Sequence, residues 1–371
     1  MSLPSASTRQ APSRTYRVIQ WATGAVGTEV LATIIDHRPD LELVGVKVYS
    51  DEKNGVDAGV LAGREALGFA ATTDIDHVLA LDADCVIYTP LITSVDEVCT
   101  ILSSGKNVVT TAFLFHPQRM ARADRDRLLA ACEKGHSSVH GSGLNPGNLS
   151  GVLPLALSGM SRTIDKIILQ ERADWSVYES TAITFDNMAF GQPVDQISPT
   201  GSAFLAFNSA IFSEQVWLLA DALNAEIDDV TASVEAVAAE RDHQIFDHML
   251  RAGTTAGQRW NWVGRRRGEP LIEIETLWTV GNEYPKHWPR AQHGWTLTIE
   301  GEPSMRTHFI TLASFTRDAT MAEHVNSANI ANGMQILNAV PAVCEAEPGF
   351  ATMASLPLIR SHTGFAHGST R

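Results

Sequence analysis

Over the first 150 positions, short apolar runs alternate with stretches whose apolar residues recur at helical spacing. Tyr16 to Trp21 (YRVIQW) reads as a buried strand and Thr28 to Asp36 (TEVLATIID) as a helix. After a break at Pro39-Asp40, Leu41 to Val48 (LELVGVKV) reads as a second strand. Further on, Asp84 to Thr89 (DCVIYT) predicts a strand, Ser94 to Ser103 a helix and Asn107 to Thr111 (NVVTT) a strand. Pro117 to Lys134 reads as one long charged amphipathic helix, and Ser137 to His140 as a short strand. Such alternation predicts a parallel, doubly wound sheet with helices on both faces.

Around Gly159 the pattern changes. Thr163 to Glu171, Leu271 to Val280, Trp295 to Glu300 and His308 to Leu312 are longer strands with few helices between them, and tryptophans concentrate from Trp175 to Trp295. A mostly antiparallel sheet is expected there, with one face covered by the apolar Ala203–Leu223 helix or by a second subunit. Within that helix Asn208, Ser213, Glu214 and Gln215 interrupt the apolar run, which fits a core or interface helix better than a membrane span. Helix returns at Met321 to Val340, where Ala328, Ala331 and Gly333 permit close packing onto the first part. The expected organisation is a disordered tail over 1–15, a first domain over 16–160 that helix 321–341 packs back on, and a second domain over 161–320.

Composition narrows the function classes. The chain has 371 residues, 44% hydrophobic and 19% charged, the profile of a soluble globular protein with room for two cores. A formal net charge of −14 repels nucleic acid and anionic membrane. Cys85, Cys99, Cys132 and Cys344 lie far apart without zinc or disulfide spacing, so a reducing cytoplasm is expected. His243 and His248, five apart, do not share the helix face that two metal ligands need, and no metal is expected. The run Arg265-Arg266-Arg267-Gly268 fits a hairpin turn.

The segment Ala22-Thr23-Gly24-Ala25-Val26-Gly27 carries the clearest chemistry. It joins a strand to a helix within a strand–helix–strand unit, the arrangement that binds a dinucleotide pyrophosphate on backbone N–H groups and the positive helix end. Ala22 stands where the usual fingerprint has its first glycine. At the tip of the second strand, Ser50 and Lys53 suit a ribose 2′-phosphate while Asp51 suits a bare ribose, so NADP is expected, with NAD as the alternative.

These pieces, together with Thr89-Pro90, Thr110-Thr111, the block His140-Gly141-Ser142-Gly143-Leu144-Asn145-Pro146-Gly147 and the later Asn338 to Cys344, Pro348-Gly349 and Leu356-Pro357, resemble the dihydrodipicolinate reductase-like family. Within it, the branch of 2,4-diaminopentanoate dehydrogenases and native amine dehydrogenases is the most similar. The resemblance implies an N-terminal Rossmann domain and a C-terminal α+β domain with a mostly antiparallel, mixed sheet that forms a homodimer. It also implies hydride transfer between NAD(P)H and a C=N bond, and the aromatic content of the second domain points to a small apolar substrate. Thr89, Pro90, Thr110, Thr111, Asn145 and Pro146 are the cofactor-contact candidates it adds.

Two departures stand out. The paired-histidine motif of true dihydrodipicolinate reductases is missing. The glutamate that native amine dehydrogenases share just beyond the strand ending at Thr111 is also missing, because Thr110 to Pro117 (TTAFLFHP) holds no carboxylate. His116, Asn145 and Tyr178 are therefore the candidates for proton handling or orientation. Carbonyl reduction and a catalytically silent NADP-binding dimer are the alternatives.

Overall fold

The computed structural model describes residues 14–178, 180–281, 285, 287–288 and 292–362; the expected N-terminal tail lies outside them up to residue 13. Strands β1 (Tyr16–Trp21), β2 (Leu41–Lys47), β3 (Cys85–Tyr88), β4 (Asn107–Thr110) and β5 (Ser138–Gly141) lie parallel in the order β5-β4-β3-β1-β2. The connections carry α1 (Ala25–His37), α2 (Ala58–Leu61), α3 (Ile75–Ala80), α4 (Val95–Ser103) and α5 (Arg122–Gly135). Val18, Ile19, Val86, Ile87, Val108 and Val109 are fully buried, because helices cover both faces of the sheet. Strand order reverses between β1 and β3, and in a Rossmann sheet the ligand crevice lies beyond the carboxyl ends at that point.

After the short α6 (Leu153–Ser158) the chain enters a second sheet. It is built from β6 (Thr163–Asp174), β7 (Asp229–Ala238), β10 (Thr255–Arg266), β11 (Glu269–Thr279), β12 (Gly294–Glu302) and β13 (Met305–Phe309); β8 (His243–Ile245) and β9 (His248–Leu250) form a separate small hairpin. The order is β13-β12-β6-β11-β10-β7, antiparallel except for β6 beside β11. The mixed sheet expected from the sequence is thus present, and the Arg267-Gly268 turn joins β10 to β11 with both residues at positive φ.

Helix α7 (Ala203–Ala222) is long and apolar enough to cross a membrane by composition, yet half of it is buried within the protein. A helix that is apolar all round needs partners on opposite sides. Phe212 stacks on Trp262 of the second sheet, with ring centroids 4.4 Å apart, and the Trp262 indole donates to the Ser209 hydroxyl at 3.0 Å. On its other side Phe207 packs into the core of the first sheet. Helix α8 (Met321–Leu337) packs against α1 and is followed by α9 (Val340–Cys344) and the parallel edge strand β14 (Gly349–Phe350) beside β5. Close packing centres on Gly333, where a Cβ would come within 2.7 Å of Val30 on α1.

Three expectations are corrected. The helix read from Pro117 to Lys134 is a 3-10 turn, Pro117–Arg119, followed by α5. Arg119 is drawn to α7, where it pairs with Asp221 at 2.9 Å and stacks on Trp217, so the chain turns before α5 starts. The strand read at His308–Leu312 is β13, which starts three residues earlier because it follows directly on the turn after β12. His243 and His248 lie on the paired strands β8 and β9 and not on a helix.

Candidate functional site

At the carboxyl end of β1 the chain turns sharply into α1. Ala22 has φ 74°, the left-handed region that favours glycine, and its carbonyl accepts a hydrogen bond from the buried Gln20 side chain at 2.7 Å. A Cβ on Gly27 would lie 2.2 Å from that same carbonyl oxygen, so glycine is obligatory there for helix and turn to meet. Gly24 differs: among the described residues nothing would lie within 4 Å of a Cβ placed there, and both Gly24 and Ala25 are exposed. No described side chain caps α1, and its first N–H groups therefore open onto free space, as an anion cradle requires.

Lys53, in the turn after β2, donates to the Thr23 carbonyl at 2.7 Å and so places its ammonium at the rim of this turn, while Ser50 is exposed beside it. Thr89 plays a different part from the direct contact expected of it. Its buried hydroxyl donates to the Trp21 and Ala22 carbonyls and accepts from Gln20, so it braces the turn from below. Pro90 and Thr110 are also buried, and the Thr110 hydroxyl accepts from the Ala112 N–H at 3.0 Å. Thr111 is half-buried at the strand end.

A cavity of about 490 Å³ opens at this end of α1, lined by Ala25, Thr28, Glu29, Tyr178, Ser180 and residues of α8. Tyr178 thus reaches the helix end that carries the glycine turn, and it packs edge-on against Trp175 at 5.3 Å. Asp174, by contrast, is a turn-builder: its carboxylate accepts from the Ser176 and Gly281 N–H groups, both at 2.9 Å.

The loop after β5 brings in the second sheet. The Asn145 side-chain amide donates to Glu171 Oε2 at 2.6 Å; the Trp295 indole donates to the same oxygen at 2.9 Å and the Trp278 indole to Oε1 at 2.8 Å. Burial pushes the Glu171 carboxyl above the usual range, and its three N–H donors oppose that shift. Asn145 Oδ1 is shielded from solvent and finds no hydrogen-bond donor among the described residues, which costs about 1–3 kcal/mol. From α8, Asn332 accepts from the Leu144 N–H at 2.7 Å and holds the loop. Trp175, Phe190 and Trp278 form an aromatic wall next to this group.

His116 is occupied elsewhere. Its ring nitrogen Nε2 lies 2.8 Å from Asp221 on α7, beside Arg119, and burial lowers its pKa even with that carboxylate present. The acid-free stretch before it is buried through Phe113, Leu114 and Phe115, with Leu114 at φ 69°. Its backbone polarity is met from α7: Glu214 accepts the His116 N–H at 3.1 Å and also that of Phe115. Burial pushes Glu214 up to about 7. Of the three proton-handling candidates, then, Asn145 and Tyr178 lie at the junction of the two sheets, whereas His116 is bound into the contact with α7.

Glu171 and Glu214 were not singled out from sequence. A signal for Glu171 was present: Ile167, Leu169 and Glu171 alternate along β6, which puts a carboxylate on the apolar face. Glu214 stood out only as a carboxylate within the apolar run of α7, because its partners are backbone groups nearly a hundred residues away.

The family model for the 2,4-diaminopentanoate dehydrogenase C-terminal domain matches residues 151–370. An amine dehydrogenase of Streptomyces virginiae is 28% identical over 359 residues, 92% of this chain and 96% of that one. A 2,4-diaminopentanoate dehydrogenase of Acetoanaerobium sticklandii is 21% identical over 275 residues, 72% of this chain and 71% of its own. Among solved structures, the amine dehydrogenase of Mycobacterium smegmatis superimposes with a TM-score of 0.75 at 19% identity, covering 95% of this chain and 99% of that one.

Proposed function

This chain belongs to the 2,4-diaminopentanoate dehydrogenase C-terminal domain family, and on that premise we propose that it is an NAD(P)-dependent oxidoreductase acting on amines. It interconverts a primary amine and the corresponding imine, in equilibrium with the carbonyl compound and ammonia. The observation that carries this reading is that Tyr178 lines the cavity at the open α1 N-terminus and packs on Trp175, whose neighbour Trp278 shares Glu171 with Asn145. The open space over Gly24 fits a pyrophosphate.

The nicotinamide supplies or takes up the hydride when bound. The protein's own part is placement. Backbone N–H groups from Gly24 to Gly27 would hold the phosphates, with Thr23 and Lys53 at the rim, while Thr89 and Gln20 keep the turn rigid. Thr111 and Asn145, with Thr110 and Pro146 beside them, would border the nicotinamide end. Trp175, Tyr178 and Trp278 would exclude water from a small apolar substrate, with the Tyr178 and Ser180 hydroxyls in the cavity at α1.

NADP is the proposed cofactor, since Lys53 and the exposed Ser50 flank the site of a 2′-phosphate. Lys53→Ala is expected to weaken NADPH about tenfold while leaving NADH within about twofold. Equal losses for the two cofactors would assign the site to NAD. The protein is further proposed to be a cytoplasmic homodimer, using the outward face of the second sheet, where Arg259, Lys166 and Glu273 are half-buried and Glu275, paired with Arg259, is buried. A monomer by light scattering would contradict that.

NADPH oxidation with a panel of small ketones, with and without high ammonia, tests the activity. Turnover is expected only with ammonia. Ammonia-independent turnover would identify a carbonyl reductase instead.

A further inference from the structure

We propose that Glu171 is a positioning residue: it holds the Asn145 amide in one orientation, so that Asn145 Oδ1 accepts a hydrogen bond from the amino group of the nicotinamide carboxamide. The inference rests on the cofactor reading above and adds a residue that no sequence motif marks.

The donor and acceptor inventory fixes the orientation. Indole N–H groups only donate, and both Trp278 and Trp295 point theirs at Glu171. With both oxygens accepting indole N–H groups, Glu171 in its ionised form only accepts, and the group that Asn145 presents to it at 2.6 Å is the Nδ2 amine. Flipping the amide would set Oδ1 against a carboxylate oxygen. Hence Oδ1 is turned away from Glu171, and among the described residues it meets no donor, while every other polar side-chain atom of these four residues is paired. A shielded acceptor with no donor selects a ligand that brings an N–H. The carboxamide amino group has that chemistry, and the loop carrying Asn145 leaves the sheet at the carboxyl end of β5, where such a ring is expected.

The same arrangement bears on the missing glutamate of the Thr110–Pro117 stretch. A carboxylate is present at the junction after all, supplied by β6 and set behind an amide.

The test compares NADP⁺ with its 3-acetylpyridine analogue, in which a methyl replaces the carboxamide amino group and the carbonyl is kept. Dissociation constants are measured by titration on the wild type and on Glu171→Gln. The wild type is expected to favour NADP⁺ by about tenfold or more, the worth of one hydrogen bond of roughly 1.4 kcal/mol. In the variant, the side chain loses its charge and one of its two acceptor positions, so it no longer holds the Asn145 amide in a single orientation and Oδ1 faces the ligand only part of the time. The ratio should then fall to about twofold. An unchanged ratio in a folded Glu171→Gln protein, or no preference in the wild type, would overturn the inference.

Should Glu171→Gln fail to fold, Glu171→Asp serves as the second variant. It keeps the charge but withdraws it from Asn145 by one methylene, and it too should lose part of the preference; an unchanged ratio there also contradicts the proposal. Failure of the amine reading would look different. A wild type that shows the binding ratio but turns over no amine or imine leaves Glu171 its role and removes the proposed reaction.

Discussion

The turn at Ala22–Gly27 and the junction at Asn145–Glu171 stand at the same end of the first sheet and are built in opposite ways. The turn is six consecutive residues whose working groups are backbone N–H groups and empty space. The junction is made of side chains from positions 145, 171, 278 and 295, brought together by two sheets. A backbone site depends on steric fit, and a side-chain site depends on charge and on complete hydrogen bonding. Their failure modes should differ accordingly.

The largest effect is expected at the turn. Gly27→Ala puts a Cβ 2.2 Å from the Ala22 carbonyl, so helix and strand must separate. A loss of more than about 3 kcal/mol in stability and about 100-fold in NADPH affinity should follow, read by denaturant melts and titration. Wild-type values for both would show that the turn is not the steric keystone described.

pH distinguishes the regions next. The Glu214 carboxyl is raised to about 7 by burial, so the folded protein keeps a proton that the unfolded chain releases above the ordinary carboxylate range. Stability should therefore fall as pH rises from about 4.5 to about 7 and level off above that, by about 3 kcal/mol. Glu214→Gln, which still accepts the His116 N–H, should flatten that slope in urea melts. A slope equal to the wild type's would assign it to another group.

Trp295→Phe probes the junction alone. It removes one of three donors to a buried carboxylate, and about 1–2 kcal/mol of stability should go with it, while NADPH affinity through the glycine turn stays within about threefold. The smallest effect runs the other way. Ala22→Gly relieves a left-handed alanine and should stabilise by about 0.5–1 kcal/mol in a thermal melt. Destabilisation would mean that the alanine methyl contributes packing that outweighs the strain.

This contrast also governs how much of the molecule the sequence reveals. The parallel sheet, α1 and the glycine turn were readable because their determinants are local: apolar runs, helical spacing and two glycines. The second sheet was readable as a class through its longer strands. The break before α5 was hidden, because it arises from Arg119 meeting Trp217 and Asp221 about a hundred residues away. His116 was attractive for its place after a strand and for its chemistry, yet α7 claims it through Asp221. Glu171 shows itself only as a charged residue in the inward register of β6, and a carboxylate in that register means little until Asn145 and two indoles are placed around it.

The most direct test of the account is the crystal structure of the protein with NADP⁺ bound. The pyrophosphate should lie on the N–H groups of Gly24–Gly27, and the nicotinamide should sit between Thr110-Thr111 and Asn145, with its carboxamide within hydrogen-bond reach of Asn145 Oδ1. A nicotinamide ring away from that loop, with Asn145 still joined to Glu171 and Oδ1 still unpartnered, would contradict it.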